Sequence, residues 1–183
     1  RKKKVKILLT AINSKFIHSN LAVRYLKAFT EDMDYISKIR EFSINDRDEK
    51  VLEEIIKEKP DIVAFSTYIW NIEMVKRLSN LIKIVNSDIK ILYGGPEVSY
   101  DSSNILNELN GDYLIEGEGE KTYREFVEYT LGERDIKSIR GLYYKEENKV
   151  IGNGNRPLMN MNEIVFPYKM DENLDNKIVY YEA

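Results

Sequence analysis

The sequence has no cysteine and only one histidine among its 183 residues. Without cysteine there can be no disulfide, thiolate metal site or thiol nucleophile, and a single histidine argues against a histidine-rich metal cluster. No apolar stretch approaches the ~20 residues that span a bilayer. The charged start also lacks the pattern of a signal peptide. We therefore expect a cytoplasmic protein with no membrane partner.

An excess of charge of one sign is lacking as well. The chain has 28 lysine and arginine residues against 31 aspartate and glutamate residues, for a net charge of -3. This balance is typical of an ordinary solvated surface. The one basic run, residues 1–4, is short and isolated and is best explained as a solvated lead-in to a first strand. We therefore expect no nucleic-acid partner.

Apolar segments alternate with stretches of helical periodicity through the first 132 residues. Strands are predicted at 5–10, 35–44, 61–67, 90–93 and 112–115. Helices are predicted at 19–30, between Asn45 and Pro60, after Asn71, at 104–109 and at 120–131, with Asn45 and Asn71 as N-terminal caps. Five such β–α units predict an α/β fold: a Rossmann-like, five-stranded parallel sheet in the flavodoxin-like order 2-1-3-4-5, with helices on both faces.

The alternation stops after Gly132. Residues 139–144 and 149–151 predict a hairpin, and the asparagine- and glycine-rich residues 152–162 predict a linker. We therefore divide the chain into a Rossmann-like domain, residues 1–132, and a C-terminal hairpin and linker, residues 133–183.

Ligands of open α/β sheets bind at the carboxyl ends of the strands, near the switch in strand order. Four loops there are rich in small, hydroxyl or charged residues. The candidate binding residues are Asn13, Ser14, Lys15 and His18 after the first strand, Ser66, Thr67 and Tyr68 after the third, Gly94, Gly95, Pro96, Glu97 and Val98 after the fourth, and Glu116, Gly117, Glu118 and Gly119 after the fifth. Together they predict a pocket for a ligand that is large and flat or that carries a long tail. Taken alone, the double glycine would fit a tight turn, and His18 would fit a helix-start histidine bonded to backbone or water.

The familiar nucleotide signatures are absent. The chain has no G-x-G-x-x-G after the first strand and no Walker A lysine loop. A receiver domain would need an aspartate where the third strand ends, and Ser66 stands there. A nucleotide- or flavin-binding domain is the alternative from the fold alone, and it would need a phosphate-cradling loop after the first strand that this sequence does not supply.

Three segments carry a resemblance to a known family: DIVAFSTYIWN (61–71), KILYGGPEVSY (90–100) and DYLIEGEGEKTYREFV (112–127). The most specific element is the double glycine with its proline, followed about 20 residues later by the E-G-E-G-E loop. Here the chain resembles the cobalamin-binding domain at the N-terminus of radical S-adenosylmethionine enzymes of the anaerobic magnesium-protoporphyrin IX monomethyl ester oxidative cyclase-like family. The similarity covers roughly residues 4–170.

The resemblance implies that cobalamin binds with its nucleotide tail off cobalt and buried between the sheet and the helices. Ser66, Thr67 and the double glycine would line the tail, and the loops after the first and fifth strands would edge the corrin. His18 occupies the place of the cobalt-binding histidine of better-known cobalamin domains. Phe16 and Leu21 stand where those domains carry an aspartate and a glycine, so His18 is a candidate cobalt ligand without a carboxylate to orient it.

The resemblance also implies a partner: the chain's own C-terminal radical domain, which would bind S-adenosylmethionine and a [4Fe-4S] cluster and would act by methyl transfer or oxidative cyclisation on a small-molecule substrate. The sequence ends just before the three-cysteine motif of that domain, so we expect this part to be inactive alone. The alternative is a degenerate cobalamin-type domain that has lost the cofactor and serves for interaction or substrate docking. Tyr68 or Trp70 filling the tail pocket would favour that alternative.

Overall fold

One seven-stranded sheet forms the centre of the computed structural model, which describes residues 3–14 and 20–156. The strand order is β2-β1-β3-β4-β5-β6-β7; the first five strands are parallel, and the last two are antiparallel. The strands are β1 Lys6–Asn13, β2 Ile36–Ser43, β3 Ile62–Ser66, β4 Lys90–Gly94, β5 Tyr113–Ile115, β6 Leu142–Glu146 and β7 Lys149–Gly152. The predicted order 2-1-3-4-5 is confirmed.

The predicted hairpin forms, but it extends the sheet instead of standing apart from it, so the five predicted strands become seven. β6 pairs with β5, a strand of only three residues, and covers an edge that would otherwise be open. Leu142 and Tyr144 of β6 are buried. The hairpin begins at Leu142 and not at 139, because Ile136–Ser138 form a short 3-10 helix. The division of the chain at residue 132 remains a prediction, and residues 157–183 of the predicted linker lie outside the described residues.

Five helices cover the two faces of the sheet, as predicted. They are α1 Leu21–Phe29, α2 Asp48–Lys57, α3 Ile72–Val85, α4 Ser102–Glu108 and α5 Glu120–Thr130. α2, α3 and α4 bury an apolar stripe on one face, and α1 and α5 pack on the other. Burial of each large aliphatic side chain stabilises the fold by roughly 1.5–3 kcal/mol. In the described parts of the chain, no helix is long and apolar enough to cross a membrane.

Two predicted helix caps are wrong. α2 begins at Asp48, because the chain first makes a turn in which the Asp46 carboxylate accepts from the backbone of Ser43; Asn45 lies in that turn. Asn71 does stand at the N-terminus of α3, but its side chain makes no capping bond to the helix.

The Asn71 side chain instead links two strands. It is 1% exposed, and its Nδ2 donates to the carbonyls of Ile12 and Ser66, both at 3.0 Å. Its Oδ1 accepts from the backbone of Tyr68 at 2.8 Å. Ser66 is the last residue of β3 in the ladder with β1, so the amide takes up the carbonyls that the diverging strands leave unpaired. Asn71 therefore fixes where β1 and β3 end.

We predict that Asn71→Asp lowers the free energy of unfolding by ~2–4 kcal/mol, because two buried carbonyls lose their donor and face a carboxylate. Burial should raise the pKa of the new carboxyl, so the deficit relative to the parent should shrink as the pH falls and the carboxyl becomes protonated. Urea unfolding across pH would measure this. Asn107→Asp, on the exposed surface of α4, is the control. Equal effects of the two substitutions would contradict the role given to Asn71.

Candidate functional site

A cavity of about 610 Å³ opens at the carboxyl edge of the sheet, between the strand ends, α1 and the start of α5. This volume lies within the ~300–1,000 Å³ typical of small-molecule sites. The cavity lies where β1 and β3 lead to opposite halves of the sheet, which is the switch point of the strand order. The lining residues are Leu9, Ala22, Val23, Tyr25, Leu26, Ala64, Phe65, Ser66, Tyr68, Leu92, Tyr93, Gly94, Gly95, Pro96, Ser99, Ile115, Gly117, Glu118, Gly119 and Glu120.

Two rows of side chains form the sheet side of this cavity. The inner row is Leu9, Ala64 and Leu92, which stand side by side on β1, β3 and β4. Two residues further along each strand, on the same face, is the outer row: Ala11, Ser66 and Gly94. All three residues of the outer row are small. The sheet surface therefore drops towards its carboxyl edge, which leaves space between the sheet and α1.

The two adjacent glycines have different roles. A side chain at Gly94 would meet nothing within 4 Å, so its absence adds free volume to the cavity. Gly95 has φ +109, and a Cβ there would lie 2.4 Å from the carbonyl oxygen of Thr67. The Thr67 hydroxyl in turn donates to the Gly94 carbonyl at 2.6 Å. Gly95 is thus required by the backbone, and Gly94 by the space.

Ser66 places a polar atom in this cavity. Its Oγ is buried and has no hydrogen-bond partner in the structure, and the residue is only 8% exposed. A buried hydroxyl without a partner destabilises a protein, so such atoms in a cavity often mark where a ligand binds. The nearby Ser99 hydroxyl differs, since it donates to the Gly95 carbonyl and accepts from the Gly117 backbone.

Two contacts hold α1 and α5 together on the open face. Arg124 of α5 forms a bidentate ion pair with Asp32, at 2.7 and 2.8 Å, and also donates to the Phe29 carbonyl at the end of α1. This hydrogen-bonded guanidinium lowers the pKa of Asp32 to about 2. In addition, the fully buried Tyr123 hydroxyl lies 3.2 Å from that of Tyr35. Burial raises the pKa of Tyr123 well above its ordinary value.

Half of the sequence-predicted site residues line the cavity, namely Ser66, Tyr68, Gly94, Gly95, Pro96, Gly117, Glu118 and Gly119. Whether these eight bind a cofactor remains a prediction. Lys15 and His18 lie outside the described residues, so the metal assignment of His18 also stays a prediction.

The other six predicted residues do not line the cavity. Thr67 is fully buried with its hydroxyl on the Gly94 carbonyl, and Val98 packs in the core on the α2–α4 face. Asn13 and Ser14 end β1, where the Asn13 amide donates to the Glu41 carboxylate. Glu116 bonds to the Tyr143 hydroxyl and raises the pKa of Tyr143 to about 12. Glu97 lies in the 3-10 helix Pro96–Val98.

Residues that the sequence did not single out contribute much of the lining. On α1 these are Ala22, Tyr25 and Leu26, whose helical spacing predicted only a packed face. The inner row was missed because its alignment depends on the register of three strands. A usable signal was the small residue Ala64 inside the otherwise bulky strand DIVAFST.

The bulky residues after β3 leave the cavity open. Tyr68 and Trp70 stack on each other with ring centroids 4.4 Å apart, and Trp70 donates through its indole nitrogen to the Ile12 carbonyl at 3.2 Å. Tyr68 contributes to the lining and Trp70 does not. The occluded pocket that would favour a domain without cofactor is therefore not what the structure shows.

Comparison with known proteins gives a family match and several relatives. A family model described as B12 binding domain matches residues 7–127. An uncharacterized methyltransferase, PH0819 of Pyrococcus horikoshii, is 33% identical over 115 residues, which are 62% of this chain and 25% of the relative.

Two solved structures share the fold. The cobalamin-dependent S-adenosylmethionine radical enzyme OxsB with aqua-cobalamin bound gives a TM-score of 0.74 at 17% identity, over 90% of this chain and 24% of that one. The radical S-adenosylmethionine methyltransferase TsrM of Kitasatospora setae, with cobalamin and a [4Fe-4S] cluster bound, gives 0.68 at 17% identity, over 91% of this chain and 32% of that one. The chain thus spans a quarter to a third of the length of these three proteins.

The two glycines should respond differently to the same substitution. We predict that Gly95→Ala lowers the free energy of unfolding by ~2 kcal/mol or more, because the new Cβ collides with the Thr67 backbone at a positive φ. Gly94→Ala should change it by less than ~1 kcal/mol, since its Cβ enters free space. Urea unfolding of both variants measures the difference. Equal destabilisation would show that the space at Gly94 is not free.

The Asp32–Arg124 pair should stabilise the α1–α5 side in a pH-dependent way. Because the pKa of Asp32 falls from 3.8 to about 2 on folding, its contribution is present above about pH 4 and is lost as the pH falls towards 2. Asp32→Asn should therefore unfold at a lower temperature than the parent at pH 7, and the gap should close between pH 4 and 2. Melting curves at stepped pH test this; a gap that is constant over that range would contradict it.

Proposed function

The chain belongs to the B12-binding domain family, and from that premise we propose that it holds cobalamin with the nucleotide tail in the cavity between the sheet and α1. The observation that carries the proposal is the outer row, where the unpartnered Ser66 hydroxyl and the bare Gly94 leave a polar atom and free space side by side. Both features lower the stability of the protein alone, and both are explained by a ligand that fills them.

The residues present fit such a tail. The inner row gives an apolar surface for a flat aromatic base. Ser66 can donate to a ring nitrogen of that base once the nitrogen is off cobalt. Glycines 94, 117 and 119 leave the mouth open to a sugar and phosphate, with no Cβ to collide with them.

The chain's own residues would bind and shield the cofactor. Asn71 and Thr67 hold the strand ends that form the outer row. Val23, Leu26 and Ile115 cover the cavity from the helix side and keep water from the base. Bound cobalamin would supply a cobalt centre able to carry a methyl group or exchange electrons, while the protein positions it.

Exposed apolar side chains near this edge support a cover above the sheet. Ile69 is 79% and Tyr100 75% exposed, and they follow β3 and β4 respectively. We propose that the corrin, and beyond it a C-terminal radical domain of the natural protein, cover them. Residues 133–183 would lead to that domain, which would bind S-adenosylmethionine and a [4Fe-4S] cluster and act on a small-molecule substrate.

Methyl transfer is the reaction we propose for the complete protein, because two of the three relatives described above are named methyltransferases. In that arrangement this chain would be inactive alone. His18 as a cobalt ligand and a cytoplasmic location also remain proposals.

We predict that hydroxocobalamin co-elutes with the 183-residue chain in gel filtration at ~50 μM of each, followed by its visible spectrum, a concentration sufficient for a micromolar complex. Gly94→Leu should weaken binding by at least ~10-fold, because the side chain fills the space beside Ser66.

Asn107→Leu, which adds the same side chain on the exposed face of α4, is the matched control and should bind like the parent. Circular dichroism and melting curves confirm that both variants are folded. Absence of co-elution with the parent chain, or full binding by folded Gly94→Leu, would overturn the proposal.

A further inference from the structure

We infer that the cavity selects among cobamides by their lower base, favouring a benzimidazole over a purine. This inference rests on the proposed function and concerns the same cavity. It names the chemical class of the tail: a base with an apolar body and a single ring-nitrogen acceptor.

The deep part of the cavity is apolar on every side that the structure describes. The inner row lines it from the sheet, and Val23, Leu26 and Ile115 line it from the helices and β5. The strand backbones beneath the inner row are paired in the parallel ladders. The polar side chains of the lining follow the strand ends: Ser99 comes after β4, and Glu118 and Glu120 come after β5.

Few hydrogen-bonding groups next to this apolar part are available to a ligand. The Ser66 carbonyl is bonded to the Asn71 amide, and the Thr67 hydroxyl to the Gly94 carbonyl. Tyr93 donates its hydroxyl to Ser79 in the core. The Ser66 hydroxyl remains, one residue pair above the inner row.

The bases of natural cobamides differ in what they demand of such a site. Dimethylbenzimidazole, once off cobalt, brings one acceptor nitrogen and two methyl groups, which match one hydroxyl and an apolar surface. Adenine brings an exocyclic amine and further ring nitrogens, for which the deep lining offers no partner. Each buried polar group left unpaired should weaken binding roughly tenfold, ~1.4 kcal/mol. A cresol base is apolar but has no ring nitrogen for Ser66.

The test compares four corrinoids on the 183-residue chain, with dissociation constants measured by absorbance titration. They are cobalamin, the adenine cobamide, the cresol cobamide, and cobinamide, which has no base. We expect the adenine cobamide to bind at least ~10-fold more weakly than cobalamin. The cresol cobamide should lie between them, and cobinamide should bind no better than the adenine form.

Ser66→Ala separates the hydroxyl from the apolar lining. It should weaken cobalamin by roughly 5–10-fold, the value of one buried hydrogen bond, and leave the cresol cobamide unchanged. Ser37→Ala is the matched control, because Ser37 Oγ on β2 is also buried without a partner but lies outside the cavity. It should change no affinity.

The outcomes distinguish this inference from the proposed function. Failure of all four corrinoids to bind would overturn the proposed function and with it the inference. Equal binding of the adenine cobamide and cobalamin would overturn the selectivity alone. Equal loss of cresol and benzimidazole binding in Ser66→Ala would show that Ser66 acts on the fold and not on the base.

Discussion

The buried amide of Asn71 is the constraint on which the candidate site depends. β1 leads to β2 on one side and is followed by β3 on the other, so the two central strands must separate at their carboxyl ends. Separation leaves buried carbonyls without partners, and the Asn71 side chain takes up those of Ile12 and Ser66. Because the strand ends are fixed in this way, the outer row keeps its place when no ligand holds it.

The outer row shows stability given up at the edge where the site lies. A leucine or valine at the position of Ala11, Ser66 or Gly94 would fill space and bury apolar surface, as such residues do elsewhere in these strands. Instead the row has small side chains and an unpaired hydroxyl. The same pattern does not extend inward, where Leu9 and Leu92 restore ordinary packing. The loss is therefore local, as expected for a binding site on an otherwise well-packed sheet.

Much of the fold could be predicted from the sequence because local patterns determine it: five apolar strands, the amphipathic helices and the order 2-1-3-4-5 follow from periodicity and connection length. The cavity could be predicted only in outline. Whether Ala64 stands beside Leu9 depends on strand register, which is a long-range property. Asn71 has the same chemistry as a helix cap and as a strand link, and only the position of β1 decides between them. The attachment of the hairpin to β5 depended likewise on an edge that the local sequence does not reveal.

The division between strands and loops has a functional consequence. The inner and outer rows belong to strands held by ladder hydrogen bonds, whereas Ile69 and Tyr100 belong to loops and are exposed. Tail recognition would thus rest on the rigid part of the molecule, and the surroundings of the corrin on the adaptable part. Under the proposed function, the loops could change the chemistry at cobalt without loosening the tail. The sheet edge would then serve as a common holder, and reactivity would be set by what is placed above it.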